Sequence, residues 1–435
     1  MKIVVMGLGY VGLTLALTLA EIGFQVIGID KDLKKIASLR SGKTTLYEKK
    51  IEDVLQSVIS SNKITFDDKI PEGDNEDVVF MVCVSTPIDN KTHQPILDNL
   101  ESVTKEIGNN IKKGELVVLR STVPIGTTRN FILPILEKES GLNCPDDFHL
   151  VFAPERTLQG NALEELKELP QIIGGIDIKS TEMATTLFSK STKKIVKVSS
   201  LEAAEVIKLF DNTYRDTTIA IGNLFGKICD SINLDSHEVI QAANNGYERN
   251  KILFPGAGVG GGCLVKDPYL LLASLDPSVD LTLISSTREI NDSMINDTKK
   301  LIENSFQKTG KKIEESKILI LGFAFKGFPA TDDIRFSPTL PIVDFLKNKN
   351  AKLFGYDPNV KEESIENLGV SSLSSMFDES IDCVIIMNNN PSFKNIDFKQ
   401  FKTNSSKPLL VIDGWYLYNS DMINDIDYFA LGSNK

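Results

Sequence analysis

Residues 255–268 run Pro-Gly-Ala-Gly-Val-Gly-Gly-Gly-Cys-Leu-Val-Lys-Asp-Pro, a glycine-dense stretch that ends on Cys263 with Lys266 and Asp267 close behind. So few side chains cannot build a core. Glycine instead lets backbone N–H groups close on an anionic ligand, here with one thiol at the ligand's edge. A thiol attacks as its thiolate, a form that a nearby cation such as Lys208 or Lys266 favours. The pattern is that of a covalent active site. Cys83, Cys144, Cys229 and Cys383 lack such surroundings and read as inert buried thiols.

The elements that must position this loop begin at the N-terminus. Lys2 to Met6 is a short apolar strand, Gly7-Leu8-Gly9-Tyr10-Val11-Gly12 is a G-x-G-x-x-G turn, Leu13 to Ile22 is a helix closed by Gly23, and Gln25 to Ile29 is a second strand ending at Asp30. Strand, glycine turn, helix and an acidic residue about 20 positions on make a dinucleotide fingerprint. Asp30 should accept from a ribose 2′-hydroxyl and repel a 2′-phosphate, which favours NAD over NADP. Strands at Asp77 to Val84 and Leu116 to Leu119 run into the polar turns Ser85-Thr86-Pro87 and Ser121-Thr122-Val123-Pro124. In a doubly wound sheet such turns lie at the carboxyl edge, beside the cofactor.

Near the C-terminus the pattern returns. Lys317 to Ala324 repeats the opening strand and glycine, and Ala351 to Tyr356 leading to Asp357 repeats the second strand. Ala324 stands where Gly9 stood, and the segment that follows is longer and carries Lys326, Asp332, Asp333 and Arg335. This half is therefore expected to cradle a nucleotide diphosphate through Lys and Arg rather than a dinucleotide. Asp332 and Asp333 read equally as functional groups or as a solvated charge cluster.

Between the halves, Ser199-Ser200-Leu201-Glu202 looks like a capping box. Apolar positions at helical spacing then continue to about Asn233 without a proline. Lys208 and Asn212 project from one face of this helix, with Glu205 on the same side. The helix could be a dimer spine or be consumed by intrachain packing. The expected fold is α/β: two Rossmann-like doubly wound domains, at 1–198 and 301–435, joined by a central helical domain at 199–300 that carries the cysteine loop. The 435 residues suit two or three domains. A net charge of −11 argues against nucleic acid or an anionic membrane as partner. Five scattered cysteines suggest neither disulfides nor a metal site and fit a reducing cytoplasm. No apolar run approaches the ~20 residues of a membrane span, and no leader precedes the first strand.

Taken together, Gly7 to Gly12, Ser121 to Pro124, Pro154-Glu155-Arg156, Lys208 with Asn212, Pro255 to Cys263, and Phe325-Lys326 followed by Asp332-Asp333-Ile334-Arg335 resemble one family along essentially the whole chain. That family is the nucleotide-sugar 6-dehydrogenases, the UDP-glucose and GDP-mannose dehydrogenase family. The resemblance implies NAD-dependent four-electron oxidation of a sugar C6 hydroxyl to a carboxylate through a thioester on Cys263. The residue types suit this, because a second hydride can leave only from a carbon made tetrahedral again, and a thiol adding to the aldehyde makes it so. In the family, residues matching Lys208 and Asn212 stabilise oxyanions at C6. The match to Asp267 works with water in the first proton transfer, the match to Glu155 helps water hydrolyse the thioester, and Thr122 matches a threonine that positions such a water.

The implied cofactor set is Gly7, Gly9, Tyr10, Val11, Gly12, Asp30, Lys35, Ser85, Thr86, Pro87, Ser121, Thr122 and Lys266, with Arg335 reaching in from the third domain. The sugar is implied to meet Glu155, Arg156, Leu158, Lys208 and Asn212. Its phosphates and uridine fall along Phe254, Gly256, Gly258 and Gly260, with Phe325 and Lys326. Arg249 matches an arginine that reaches the partner's sugar across a homodimer. Three positions depart from the pattern: Gln159 replaces a glutamate, Gly262 a histidine or serine, and Trp415 an arginine that meets the substrate. Pro154-Glu155-Arg156 resembles the branch acting on UDP-N-acetylglucosamine or UDP-N-acetylmannosamine more than the UDP-glucose or GDP-mannose enzymes. Two rivals remain: a two-electron hydroxyacid dehydrogenase, which needs neither thiol nor third domain, and a nucleotide-sugar-binding scaffold without turnover.

Overall fold

The computed structural model describes residues 1–71, 77–276, 278–403, 407–418 and 425–433. It forms two compact units, Met1–Asp211 with Tyr269–Val279, and Asn212–Pro268 with Asp280–Lys435. The helix Leu201–Ser231 begins in the first and continues in the second.

In the first unit the strands β1 (Lys2–Met6), β2 (Gln25–Ile29), β3 (Ile64–Asp67), β4 (Val78–Val82), β5 (Leu116–Leu119), β6 (His149–Phe152), β7 (Gln171–Gly175) and β8 (Ile195–Val198) form one sheet in the order β3-β2-β1-β4-β5-β6-β7-β8. All neighbours are parallel except β6 and β7. Parallel strands are covered on both faces, so their sequences are continuously apolar rather than alternating. Ile3 and Val5 of β1 enter the core on one face, while Val4 and Met6 enter the core on the other.

The second unit builds its own sheet from β9 (Lys317–Leu321), β10 (Lys352–Tyr356), β11 (Ser371–Ser372), β12 (Cys383–Ile386), β13 (Leu409–Asp413) and β14 (Ile426–Ala430), ordered β11-β10-β9-β12-β13-β14 and parallel throughout. Both sheets thus follow the 3-2-1-4-5-6 order of a dinucleotide-type fold, the first extended by two strands. The echo at the C-terminus reaches the hydrogen bonds. Leu8 donates its N–H to Asp30 at 2.9 Å, and Phe323 and Ala324 donate theirs to Asp357 at 2.7 and 3.0 Å. The expected two Rossmann-like domains and long helix are what the chain folds into.

Two local expectations change. The first helix starts at Tyr10, three residues early, so Gly12 lies in its first turn. The capping residue of the long helix is Ser200, whose Oγ accepts from Ala203 N–H at 3.1 Å, while Glu202 reaches outward to Arg129 at 2.6 Å. A cation within reach outcompetes the local backbone for that carboxylate.

A Cβ at position 12 would stand 1.8 Å from the Gly7 carbonyl oxygen. Gly12→Ala must open the glycine turn. The expected result is a loss of about 1–3 kcal/mol of stability together with weaker NAD binding, read by thermal melting and cofactor titration; unchanged values in both would show that the close approach is not needed.

Candidate active site

The cofactor turn is built at the carboxyl ends of β1, β4 and β5. Gly7 adopts φ +92°, a conformation that favours glycine, and Gly9 is exposed with open space where a Cβ would point. Free backbone and an open face at a helix N-terminus fit a pyrophosphate. Asp30 is fixed beside this turn. It accepts from Leu8 N–H, from Asp32 N–H at 3.0 Å and from Lys35 Nζ at 2.7 Å. Burial works to raise its pKa, but the Lys35 bond and the two backbone donors outweigh burial and hold it below the usual carboxylate value.

The two polar turns bind each other. Thr86 donates its hydroxyl to Thr122 O at 2.5 Å and Ser121 to Val84 O at 2.7 Å, while Ser85 accepts from Asn99 at 3.2 Å and Pro87 O from Ile96 N–H at 2.8 Å. Thr86 and Ser121 are buried, Thr122 is half-buried, and Ser85 and Pro87 are exposed. Val11 is half-buried on the helix. The Tyr10 hydroxyl donates to buried Glu48, and Gly160 N–H donates to both at 2.8 and 2.9 Å. Tyr10 therefore joins the glycine turn to the 154–160 loop.

That loop carries Glu155. Its Oε1 accepts from the N–H groups of Arg156 and Thr157, each at 2.7 Å, and its Oε2 from Arg120 at 2.6 Å. Burial alone would raise its pKa; the Arg120 charge, the Thr157 N–H and the charge of Lys208 bring it below the ordinary value. Arg120, itself buried, also donates to Gln171 at 3.0 Å, and Gln171 donates to Pro154 O at 3.2 Å. Neither residue was among those singled out from sequence. The available signal was a charge placed directly after the wholly apolar β5. Arg156 pairs with Asp211 at 2.9 Å and remains 31 % exposed. Leu158 N–H donates to Glu165 at 2.7 Å. Glu205 is committed elsewhere: it accepts from Gly126 N–H at 2.5 Å and from Thr128 N–H at 2.8 Å.

In the second unit Gly260 and Gly261 permit close packing of the glycine loop. A Cβ at Gly260 would lie 2.5 Å from Phe336 O, and one at Gly261 2.7 Å from the Phe325 ring. Gly261 N–H donates to Arg335 O at 3.0 Å. The loop therefore runs flush against the segment that holds Phe325 and Arg335. Gly256 sits beside Trp415, whose Nε1 donates to Met387 O at 2.9 Å, and Gly258 (φ +133°) beside Pro338. Cys263 is exposed, whereas Cys83, Cys229 and Cys383 are buried and Cys144 is half-buried. Burial pushes the thiols of Cys83 and Cys144 up to about 12.

Cys263 O accepts from Lys266 and Asp267 N–H at 3.1 and 2.9 Å, which closes a turn onto Asp267. Asp267 is fully buried, with Oδ2 bound by Asn212 Nδ2 and Oδ1 by Lys266 Nζ, each at 2.5 Å. Lys266 is thus spent on Asp267. The guanidinium of Arg335 lies 3.6 Å from where a Gly262 Cβ would be, one residue before Cys263, and pairs with Asp333 at 2.7 Å. Lys326 lies over the Phe325 ring at 5.6 Å and Arg249 over Tyr247 at 5.9 Å. Phe254 stacks on His237, which stacks in turn on Tyr416. Asp332, half-buried, is raised by burial.

Three family models match in succession: the NAD binding domain at 1–192, the central domain at 202–293 and the UDP binding domain at 319–420 of the UDP-glucose/GDP-mannose dehydrogenase family. The chain belongs to that family. It is an NAD-dependent oxidoreductase acting on a UDP-sugar. A UDP-N-acetyl-D-mannosamine dehydrogenase of Pyrococcus horikoshii is 34% identical over 418 residues, 95% of each chain. The solved UDP-D-ManNAc dehydrogenase from Pyrococcus horikoshii superposes with TM-score 0.89 at 32% identity over 100% of both chains. The UDP-N-acetyl-mannosamine dehydrogenase from Staphylococcus aureus gives 0.83 at 29%, covering 99% of this chain and 98% of that one. Among the described residues no helix is long and apolar enough to cross a membrane.

Asp30→Ala should lower kcat/KM for NAD about tenfold to a hundredfold, the worth of a hydrogen bond to a charged group. It should also raise use of NADP, because Lys35, which pairs with Asp30 at 2.7 Å, is then free to meet a 2′-phosphate. Steady-state kinetics with both cofactors check this, and an unchanged NAD preference would remove Asp30 from the ribose.

His237 has no partner for Nε2, and burial lowers its pKa to about 4. The unfolded chain binds that proton more readily, so the stability is present above about 6.5 and is lost as pH falls toward 4, by about 1.4 kcal/mol per unit. His237→Phe should flatten this part of the pH–melting curve; equal acid sensitivity in both proteins would count against it.

Proposed function

We propose that the chain oxidises the C6 hydroxyl of a UDP-N-acetylhexosamine, UDP-N-acetyl-D-mannosamine foremost, to the uronate through a thioester on Cys263. The observation that carries this reading is that one cysteine of five is exposed, and its carbonyl is tied to the turn that buries Asp267. The sugar follows from the relatives, which are named for an acetamido sugar, and from Arg156, whose guanidinium stays partly exposed next to Glu155. UDP-glucose and GDP-mannose are the alternatives that the family name leaves open.

Gly7, Gly9, Tyr10, Val11, Gly12 and Asp30 would hold NAD, with Lys35, Ser85, Thr86, Pro87, Ser121, Thr122, Lys266 and Arg335 around it. When bound, NAD accepts the hydride of each oxidation. In the first, the C6 hydroxyl loses its proton, by way of water, to Asp267, and the carbon loses a hydride and becomes an aldehyde. Lys208 and Asn212 donate to the C6 oxygen as charge develops there. The Cys263 sulfur then adds to the aldehyde carbon. The tetrahedral adduct loses its hydroxyl proton and a second hydride to leave a thioester. Water, positioned by Thr122 and assisted by Glu155, breaks the C–S bond, giving the carboxylate and the free thiol. The balance is one water consumed, with two hydrides and three protons released.

Phe254, Gly256, Gly258, Gly260, Phe325 and Lys326 would take the nucleotide and Leu158 the sugar. We also propose the three-part division at 1–198, 199–300 and 301–435, a cytoplasmic enzyme, and a product that feeds polysaccharide assembly. A homodimer is supported by an apolar stripe on the long helix. Phe210, Tyr214, Ile221, Leu224, Phe225 and Ile228 are each at least 36 % exposed at helical spacing, which is an unusual thing to leave in water. Arg249 would then meet the partner's substrate.

NADH formation across a panel of UDP- and GDP-sugars, read by absorbance, tests the reading: two NADH per sugar support it, one supports a hydroxyacid dehydrogenase, and binding without NADH supports a scaffold. Cys263→Ala should bind the sugar yet release no uronate, whereas full uronate production by that variant would refute the covalent route.

A further inference from the structure

The reaction outlined above leaves unused a buried polar network between two long helices. Arg288, on the helix Thr282–Thr309, is buried with Asp216 of the helix Leu201–Ser231, and its Nη1 donates to Asp216 Oδ1 at 2.6 Å. Its Nη2 donates to Asp292 at 2.5 Å. Asn291, one turn on, donates to the carbonyl and the carboxylate of Asp216 at 3.0 and 2.9 Å. Asn223, two turns beyond Asp216, donates to Asn291 at 2.9 Å.

Two bonds leave this network, and both go to the ends of the glycine loop. Asn223 Oδ1 accepts the N–H of Gly256 at 3.0 Å, and Arg288 Nη1 also donates to the carbonyl of Leu264 at 3.4 Å. Leu264 follows Cys263 directly. The intervening residues cannot brace themselves, since five of the seven from 257 to 263 lack a side chain larger than a methyl group.

Stability alone does not account for the arrangement. Asp216 Oδ2 and Arg288 Nε are buried and have no hydrogen-bond partner. A buried ion pair with unmet atoms is often matched or bettered by apolar residues of similar volume. What apolar residues could not do is hold a backbone N–H and a backbone carbonyl at set positions. We propose that Asn223 and Arg288 are positioning residues that fix the two ends of the nucleophile loop, with Asp216 and Asn291 holding those two in register. The inference rests on the reading of Cys263 as the nucleophile.

Asn223→Ala and Arg288→Lys, made in the full chain, test it with NAD and UDP-N-acetyl-D-mannosamine or whichever UDP-sugar the panel above selects. A displacement of about 1 Å at a reacting group costs on the order of a hundredfold in rate. The expected result is a kcat ten- to a hundredfold lower, with the KM for NAD within about twofold and faster amide exchange confined to 256–264. Arg288→Lys keeps the charge beside Asp216, so it reports on the loop even if Asn223→Ala folds poorly. A kcat within twofold of the parent in both variants would overturn the inference, as would exchange that rises throughout the second unit while kcat and KM change together. Cys263→Ala separates the two ideas: two NADH per sugar from that variant sinks the nucleophile itself, whereas an inactive Cys263→Ala beside fully active Asn223→Ala and Arg288→Lys sinks only the anchoring role.

Discussion

Asp267 is a fully buried carboxyl group, so its hydrogen-bond partners must come from the protein around it. Asn212 takes one oxygen and Lys266 the other. This single requirement organises its surroundings. The long helix must present Asn212 to it, the Lys266 ammonium is drawn onto it, and the turn from Cys263 to Asp267 is closed by bonds to the Cys263 carbonyl. Asp267 is also the first residue of the helix Asp267–Leu272, where a negative charge is favoured by the backbone dipoles.

The same logic recurs in the first unit with a different cation. Glu155 is buried, and two backbone donors and Arg120 meet its oxygens. A carboxylate so fully engaged is a weak base in its resting position. Its value lies in a fixed negative charge next to the partly exposed Arg156 and within the field of Lys208. Glu205, which by spacing belonged with Lys208, instead ties down the turn after β5. Three acidic groups thus do three different jobs, decided by which donors reach them.

Much of this was legible in the residues. The order strand, glycine turn, helix, strand and aspartate is local, and each step follows from backbone sterics and periodicity, so β1, β2 and the Asp30 position could be read directly. The second Rossmann unit was legible for the same reason. What could not be read were pairings across long separations: Arg120 with Glu155, Glu48 with Tyr10, Arg288 with Asp216. A lone charge in an apolar run signals that a partner exists without naming it. The use of the glycines was legible only in part. Gly260 and Gly261 are required by the approach of Phe336 and Phe325, which no local pattern in the loop announces.

The two sheets show how one topology is turned to different ends. Both place a glycine with positive φ after the first strand and an aspartate after the second that holds the turn by its N–H groups. In the first unit a helix begins at once, at Tyr10, and its N-terminus faces the open side of Gly9. In the second, the helix Thr339–Asn348 starts seventeen residues after Gly322, and the Asn388 side chain fills the turn, 2.5 Å from where a Gly322 Cβ would stand. Asn388 also donates to Ala324 O at 3.1 Å, which locks the turn shut. The chain between strand and helix is freed to carry Phe325, Lys326 and Arg335 against the glycine loop. An asparagine inside the turn and a long excursion after it together set this turn apart from the one before Tyr10, and the excursion packs against the loop that bears the thiol.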